Sequence, residues 1–235
     1  MPPSTAETSN DSGSRRSRQG AASLRIVIGL IIGFLAAPAF AGSVPFDDGW
    51  THQRLSLFSR NDYVFSGPRV DVMSEDAISI VYRRLPPALW RARTAAWRWG
   101  VEETAPPTDL AMKGGDDRNL SLYVVFLPRE DADRMKEASV LSLLDEDSAR
   151  VLLYVWGGAH ESGALIPSPY MGENGASIVL RPAGTGEFAE AVNLVKDCER
   201  AFGAGDYALV GLALSADSDD TDSRIRAWMA DLRLD

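Results

Sequence analysis

A chain of 235 residues, 45% of them hydrophobic, is long enough to close one substantial core. Its formal net charge of −9 at pH 7 excludes nucleic acid and anionic lipid surfaces as partners, because their phosphates would be repelled. The lone cysteine, Cys198, excludes an intrachain disulfide and reads as a small buried hydrophobe.

The N-terminus reads as an export signal. Arg15, Arg16 and Arg18 form a positive region, Leu24 to Ala37 are apolar apart from Arg25, and Ala39-Phe40-Ala41 is an A-x-A cleavage site. The pattern predicts cleavage after Ala41 and one exported domain, Gly42 to Asp235, periplasmic or secreted and without a transmembrane span. The alternative is an uncleaved N-terminal anchor, for which the apolar run falls short of the ~20 residues a spanning helix needs. Removing a leader with four arginines (Arg15, Arg16, Arg18, Arg25) and two acids (Glu7, Asp11) leaves the domain more acidic than the whole chain.

Short apolar segments then follow one another between turn signals. Ala77 to Tyr82 reads as a strand. Trp97, Trp99 and Val101 alternate with Arg98, Gly100 and Glu102, the period of two of a half-buried strand. Leu120 to Phe126, Val151 to Trp156, Ser177 to Leu180 and Ala208 to Ala216 are nearly continuous apolar runs. Their length and β-branched or aromatic content predict buried strands. Trp228 to Leu234 alternates again. Glu130 to Leu144 reads as a helical insertion, and Asp197 to Phe202 as a short helix closed by Gly203. With turn clusters at Ser66-Gly67-Pro68, Pro106-Pro107, Gly157-Gly158 and Gly184-Thr185-Gly186, the pattern predicts an all-β chain with minor helix. The expected architecture is an antiparallel β-sandwich, a jelly roll, with one helical insertion.

Two acidic loops stand out. Lys113-Gly114-Gly115-Asp116-Asp117-Arg118 leads straight into a strand, and Asp217-Ser218-Asp219-Asp220-Thr221 follows one. Calcium takes ~6–8 oxygen ligands, and Asp217, Asp219 and Asp220 with Thr221 are of the right kind; the competing reading is a solvated turn capped by its own side chains. Asp116 and Asp117, adjacent in sequence, point to opposite faces if both lie on a strand, which suits a structural corner better than an acid–base pair. In that corner Asp117 is expected to pair with Arg118 or a neighbouring Arg, while Asp116 accepts backbone donors from the Gly114-Gly115 turn. Trp97, Trp99 and Trp228 read as core, whereas Trp90 and Tyr170, beside prolines in loops, are candidates for exposure. Only His52 and His160 are present, with no G-x-S-x-G elbow and no His or Cys metal spacing, so no catalytic set is recognisable.

Pro107-Thr108-Asp109-Leu110, Lys113 to Leu120, Leu153-Tyr154-Val155-Trp156-Gly157-Gly158, Ser168-Pro169-Tyr170 and Asp217 to Thr221 occur in an order that resembles a bacterial exported family, domain of unknown function 3047. The resemblance runs from about Phe46 to Leu234 and departs at Glu187-Phe188, where a Trp is expected. It implies a fold rather than a reaction. A looser similarity, of Phe46-Asp47-Asp48-Gly49 and Asp231-Leu232-Arg233-Leu234, is to jelly-roll carbohydrate-binding modules. By that analogy Asp47 and Asp231 would meet at a second, structural calcium.

These readings lead to a protein that binds rather than cuts. Its expected ligand is a glycan or another small neutral molecule, bound by Asp116, Asp117, Arg118, Trp90 and Tyr170, with calcium at Asp217, Asp219 and Asp220. The rival is a hydrolase of glycans or esters using a carboxylate pair such as Asp117 and Asp219. A third reading is an envelope scaffold.

Overall fold

The computed structural model describes residues 42–55, 59–136 and 146–235, so the expected export leader and the second half of the expected helical insertion lie outside the described residues. The strands are β1 (Gly42–Ser43), β2 (Thr51–Arg54), β3 (Asp62–Phe65), β4 (Arg69–Glu75), β5 (Ile78–Arg84), β6 (Thr94–Glu103), β7 (Arg118–Pro128), β8 (Arg150–Gly157), β9 (Leu165–Ser168), β10 (Gly172–Arg181), β11 (Gly186–Asn193), β12 (Tyr207–Asp217) and β13 (Arg224–Leu234). One sheet runs β11-β6-β13-β4-β3, with β1 added against β13; the other runs β2-β5-β12-β7-β8-β10-β9. Taken without the outer strands, β4-β13-β6-β11 and β5-β12-β7-β8 are the two four-stranded sheets of a jelly roll. Among these eight strands the chain crosses between the sheets at β4–β5, β5–β6, β6–β7, β8–β11 (by way of β9 and β10), β11–β12 and β12–β13. Pairing is antiparallel except where β10 lies parallel to β8, with β9 folded back against it.

Strand alternation explains the core. Trp97 and Trp99 of β6 point between the sheets and meet Tyr154 and Trp156 of β8 at ring separations of 5.5 to 5.6 Å. Leu120, Leu122 and Val124 of β7 and Leu212 and Leu214 of β12 fill the same layer. The continuous apolar runs have a second cause. On the outer face of the seven-stranded sheet, Val151, Leu153 and Val155 of β8 and Val179 of β10 pack under Leu110 and Ile166 in a separate cluster. Strands covered on both faces lose the polar alternation of a half-exposed sheet.

Two tryptophans correct the sequence reading. Trp90 is 5% exposed, because the single 3₁₀ turn at Pro87–Leu89 folds its ring inward, where Nε1 donates to the Leu85 carbonyl at 2.9 Å. Trp228 is buried as expected, but on the outer face of the six-stranded sheet. It lies across Gly100, whose missing Cβ would come within 2.4 Å of the indole, and under the guanidinium of Arg69 at 4.4 Å. Phe188, where a Trp was expected, packs edge-on against Trp156 and beneath Arg181.

Two α-helices are seen among the described residues: α1 (Arg129–Arg134) and α2 (Leu194–Phe202). The second starts earlier than its sequence pattern, because the Asn193 side chain accepts the Lys196 N–H as an N-cap. It ends, as expected, at Gly203 with φ 87°. No described helix is long and apolar enough to cross a membrane. Leu194 and Cys198, one turn apart, form its buried stripe. Burial pushes the Cys198 thiol up to about 12, from an ordinary value of 9.0. The folded state therefore holds this proton more tightly than the unfolded chain. The resulting stability is complete below pH 9 and is lost as the pH climbs toward 12. Accordingly, a thiol-specific reagent at pH 8 should leave the native protein unmodified and label one thiol per chain once the protein is unfolded.

Candidate functional site

The cluster of β8 and β10 covers only part of the seven-stranded sheet's outer face, and the remainder opens as a cleft of about 360 Å³. Cross-strand register sets the rows on this face, and from them Tyr123, Leu153 and Ser177 line the cleft. One row across the sheet runs Tyr82, Ala213, Tyr123, Leu153 and Ser177; the next runs Ile80, Ser215, Ser121, Val155 and Val179. A third row would place Asn119 opposite Asp217. Instead the register slips between Ser215 and Asp217 on β12 and between Arg118 and Leu120 against β8, so Arg118 faces Asp217. Residues 118 and 121, three apart, would point to opposite faces of a regular strand; the bulge turns both to the cleft. Asn119 is turned inward, where its Oδ1 accepts the Ala105 N–H at 2.8 Å. Opposite Arg118 stands Gly157, because a Cβ there would come within 2.7 Å of the Arg118 backbone. The Gly157-Gly158 pair is a packing requirement of this corner.

Arg118, 7% exposed, is its hub. Nη1 donates to the Asp116 carbonyl and to Asp116 Oδ2, each at 2.8 Å, and forms an ion pair with Asp217 Oδ2 at 2.9 Å. Nη2 donates to the Tyr123 hydroxyl at 2.9 Å and Nε to Ser121 Oγ at 2.8 Å. The other oxygen of Asp116 accepts the Tyr170 hydroxyl at 2.7 Å, which in turn accepts the Gly114 N–H. The expected division of labour between the two acids is thus reversed. Asp116 pairs with Arg118, whereas Asp117, fully buried, accepts the N–H groups of Asp220 and Thr221 and the Thr221 hydroxyl. It caps the distant turn rather than its own.

Charge in this corner is strongly constrained. Burial opposes ionisation of Arg118, but the fields of Tyr123, Asp217 and Asp116 outweigh it and hold the guanidinium well above its ordinary range. Burial pushes Asp217 up to about 8; Arg118 pulls back part of that rise, and Asp219 adds to it. Asp220 is raised by burial and by its acidic neighbours Asp117 and Asp219. The Tyr170 hydroxyl is pushed up to about 12 by burial and by its bond to Asp116.

The fold thus gathers Asp116, Asp117, Arg118, Tyr170, Asp217, Asp219 and Asp220 in one place. Tyr170, 58% exposed, stands at the rim with Lys113 5.4 Å from its ring centre. Trp90 lies in the core. Asp47 is held by Arg83 and the Gly49 N–H, and Asp231 sits 3.5 Å from Arg98. Sequence reasoning missed Tyr123, Ser121 and Ser215. Their signal was a polar atom at alternate positions within otherwise apolar strands.

A protein-family model described only as a protein of unknown function, DUF3047, matches residues 48–233. The chain belongs to the DUF3047 family. Within that match, the segments around Asp109, Lys113 to Leu120, Ser168 to Tyr170 and Asp217 to Thr221, scattered in sequence, border this cleft or its corner. No curated protein matches the sequence. Among solved structures, the chain is similar to the xyloglucanase domain of NopAA, a type three effector from Sinorhizobium fredii, in complex with cellobiose. That match has a TM-score of 0.44 and 8% identity, over 85% of this chain and 99% of that one. It is also similar to an agarase, AgWH50C, with a TM-score of 0.33 and 8% identity over 80% of this chain, spanning 24% of the agarase.

Removing one partner of a buried ion pair leaves the other charge uncompensated. Arg118→Ala should therefore cost about 3–5 kcal/mol of stability in urea unfolding. Tyr170→Phe, which deletes two hydrogen bonds at the rim, to Asp116 and from the Gly114 N–H, should cost less, about 1–3 kcal/mol.

Proposed function

We propose that this protein is an exported glycan-binding β-sandwich, and that the cleft on the outer face of the seven-stranded sheet receives a neutral sugar. One observation carries the reading: an exposed aromatic ring, Tyr170, stands over a cleft whose polar groups are fixed on rigid strands. A sugar offers an apolar C–H face and a ring of hydroxyls, so it needs a ring to stack on and donors and acceptors held in place. Arg118, Tyr123, Ser177 and Ser168 line the cleft, and the Arg118–Tyr123 part is locked by the hydrogen bonds around the guanidinium. The acidic wall of Asp219 and Asp220 disfavours anionic ligands. Export follows from the leader, Arg15 to Ala41.

Binding is a better account than hydrolysis. Asp117, one member of the hydrolytic pair expected from sequence, is buried and occupied as a cap.

Titration calorimetry against soluble neutral polysaccharides and their oligosaccharides tests the proposal. Binding should appear for at least one member, and Tyr170→Ala should weaken it about tenfold or more, equivalent to about 1.4 kcal/mol, with the fold intact. No binding across such a panel, with and without added calcium, would remove the glycan reading.

A further inference from the structure

The acidic wall of the cleft contains an oxygen atom without a partner. Asp217 is 3% exposed; its Oδ2 is paired with Arg118, but its Oδ1 is buried with no hydrogen-bond partner among the described residues. Such an atom is costly unless something positive answers it. What lies near it is more negative charge: one oxygen each from Asp117, Asp217 and Asp219 fall within 4.8 Å of one another. We propose that Asp117, Asp217 and Asp219 hold a divalent cation, calcium, with part of its coordination sphere turned toward the cleft.

The donor chemistry selects the ion. No histidine or cysteine belongs to the group, so the site offers hard oxygens, which suit calcium or magnesium over zinc or copper. Oxygens that lie within 4.8 Å of one another can be bridged by a single ion with calcium's ~2.4 Å bonds, since oxygens on opposite sides of such an ion are about that far apart at most. Three carboxylates, each counted once or twice, supply a large share of the ~6–8 oxygens calcium takes, leaving places for water or a ligand hydroxyl. The framework is already held. Asp117 is anchored by the backbone of Asp220 and Thr221, and Asp217 by Arg118, so only the exposed Asp219 has to settle. Arg118 occupies the opposite oxygen of Asp217 and leaves Oδ1 to the ion. The site differs from that expected from the sequence: Asp117 enters it, and Asp47 and Asp231 are engaged elsewhere by Arg83 and Arg98.

This inference stands apart from the glycan reading, and its test contains no sugar. Protein stripped with a chelator is titrated with calcium chloride by calorimetry, with magnesium chloride as comparison. A parallel thermal melt is run in chelator and in millimolar calcium. One site per chain is expected, with a higher melting temperature in calcium. Asp217→Asn and Asp219→Asn should each weaken calcium binding about tenfold or more, since affinity follows the number of charged ligands. Asp231→Asn should leave it unchanged. Because Asp219 is exposed and makes no anchoring bond, its variant separates loss of the ion from loss of the fold. No heat and no shift in melting temperature at millimolar calcium would overturn the proposal. So would binding that survives both substitutions.

Discussion

A guanidinium that is 7% exposed must have its charge balanced and its N–H groups matched, and the organisation of this protein's cleft follows from how Arg118 meets that demand. Its acceptors come from the loop before β7 (Asp116) and from β7 itself (Ser121 and Tyr123), and a second counter-charge comes from the end of β12 (Asp217). No regular strand could present Arg118 and Ser121 to the same side. The bulge at Asn119 is therefore the backbone's response to the charge, and Gly157 is the space that the bulge requires on the neighbouring strand. Remove the guanidinium and two buried carboxylates lose their counter-charge. The corner is coupled, not a set of separate contacts.

The sandwich beneath supplies rigidity for a different reason. Trp97, Trp99, Tyr154 and Trp156 cross between the sheets in edge-on and tilted contacts, the arrangement that ring quadrupoles favour, at about 0.5–1.5 kcal/mol per pair beyond the area they bury. These rings sit on β6 and β8, and β8 is paired with β7, which carries Arg118. A cleft floored by such strands presents its polar groups in fixed positions. That rigidity reduces the ordering cost on binding.

Partial coverage of one sheet face decides where a ligand can go. Leu110 and Ile166 pack with Val151, Val155 and Val179 on the β8–β10 side of the face, and beside them Tyr123 of β7, Leu153 of β8 and Ser177 of β10 line the cleft. The edge of that cover, from Ser168 to Tyr170, becomes the cleft rim. Asp117 fastens the opposite rim by capping the turn at Asp220 and Thr221. Both rims are thus tied to the Arg118 corner, one through Asp116 and Tyr170 and the other through Asp117.

Much of this was legible in the chain itself. Period-two alternation from Trp97 to Glu102, the long apolar runs at Leu120, Val151 and Ala208, and the Gly and Pro turns sufficed for a β-sandwich, because strand periodicity and turn chemistry act over a few residues. The two acidic loops announced themselves by composition. Tertiary structure decided the rest. Which acid pairs with Arg118 depends on a one-residue register slip, and local pattern carries no record of it. That Asp117 sides with Asp217 and Asp219, about a hundred residues away, is a consequence of the β7–β12 pairing. Trp90 and Trp228 were misread or half-read because a ring's hydrophobicity is local, whereas the face it turns to is set by the sheet it meets. Sequence determined the strands and the chemistry available; only the packing of distant strands determined which groups stand within bonding distance, because those distances are properties of register and not of neighbours in the chain.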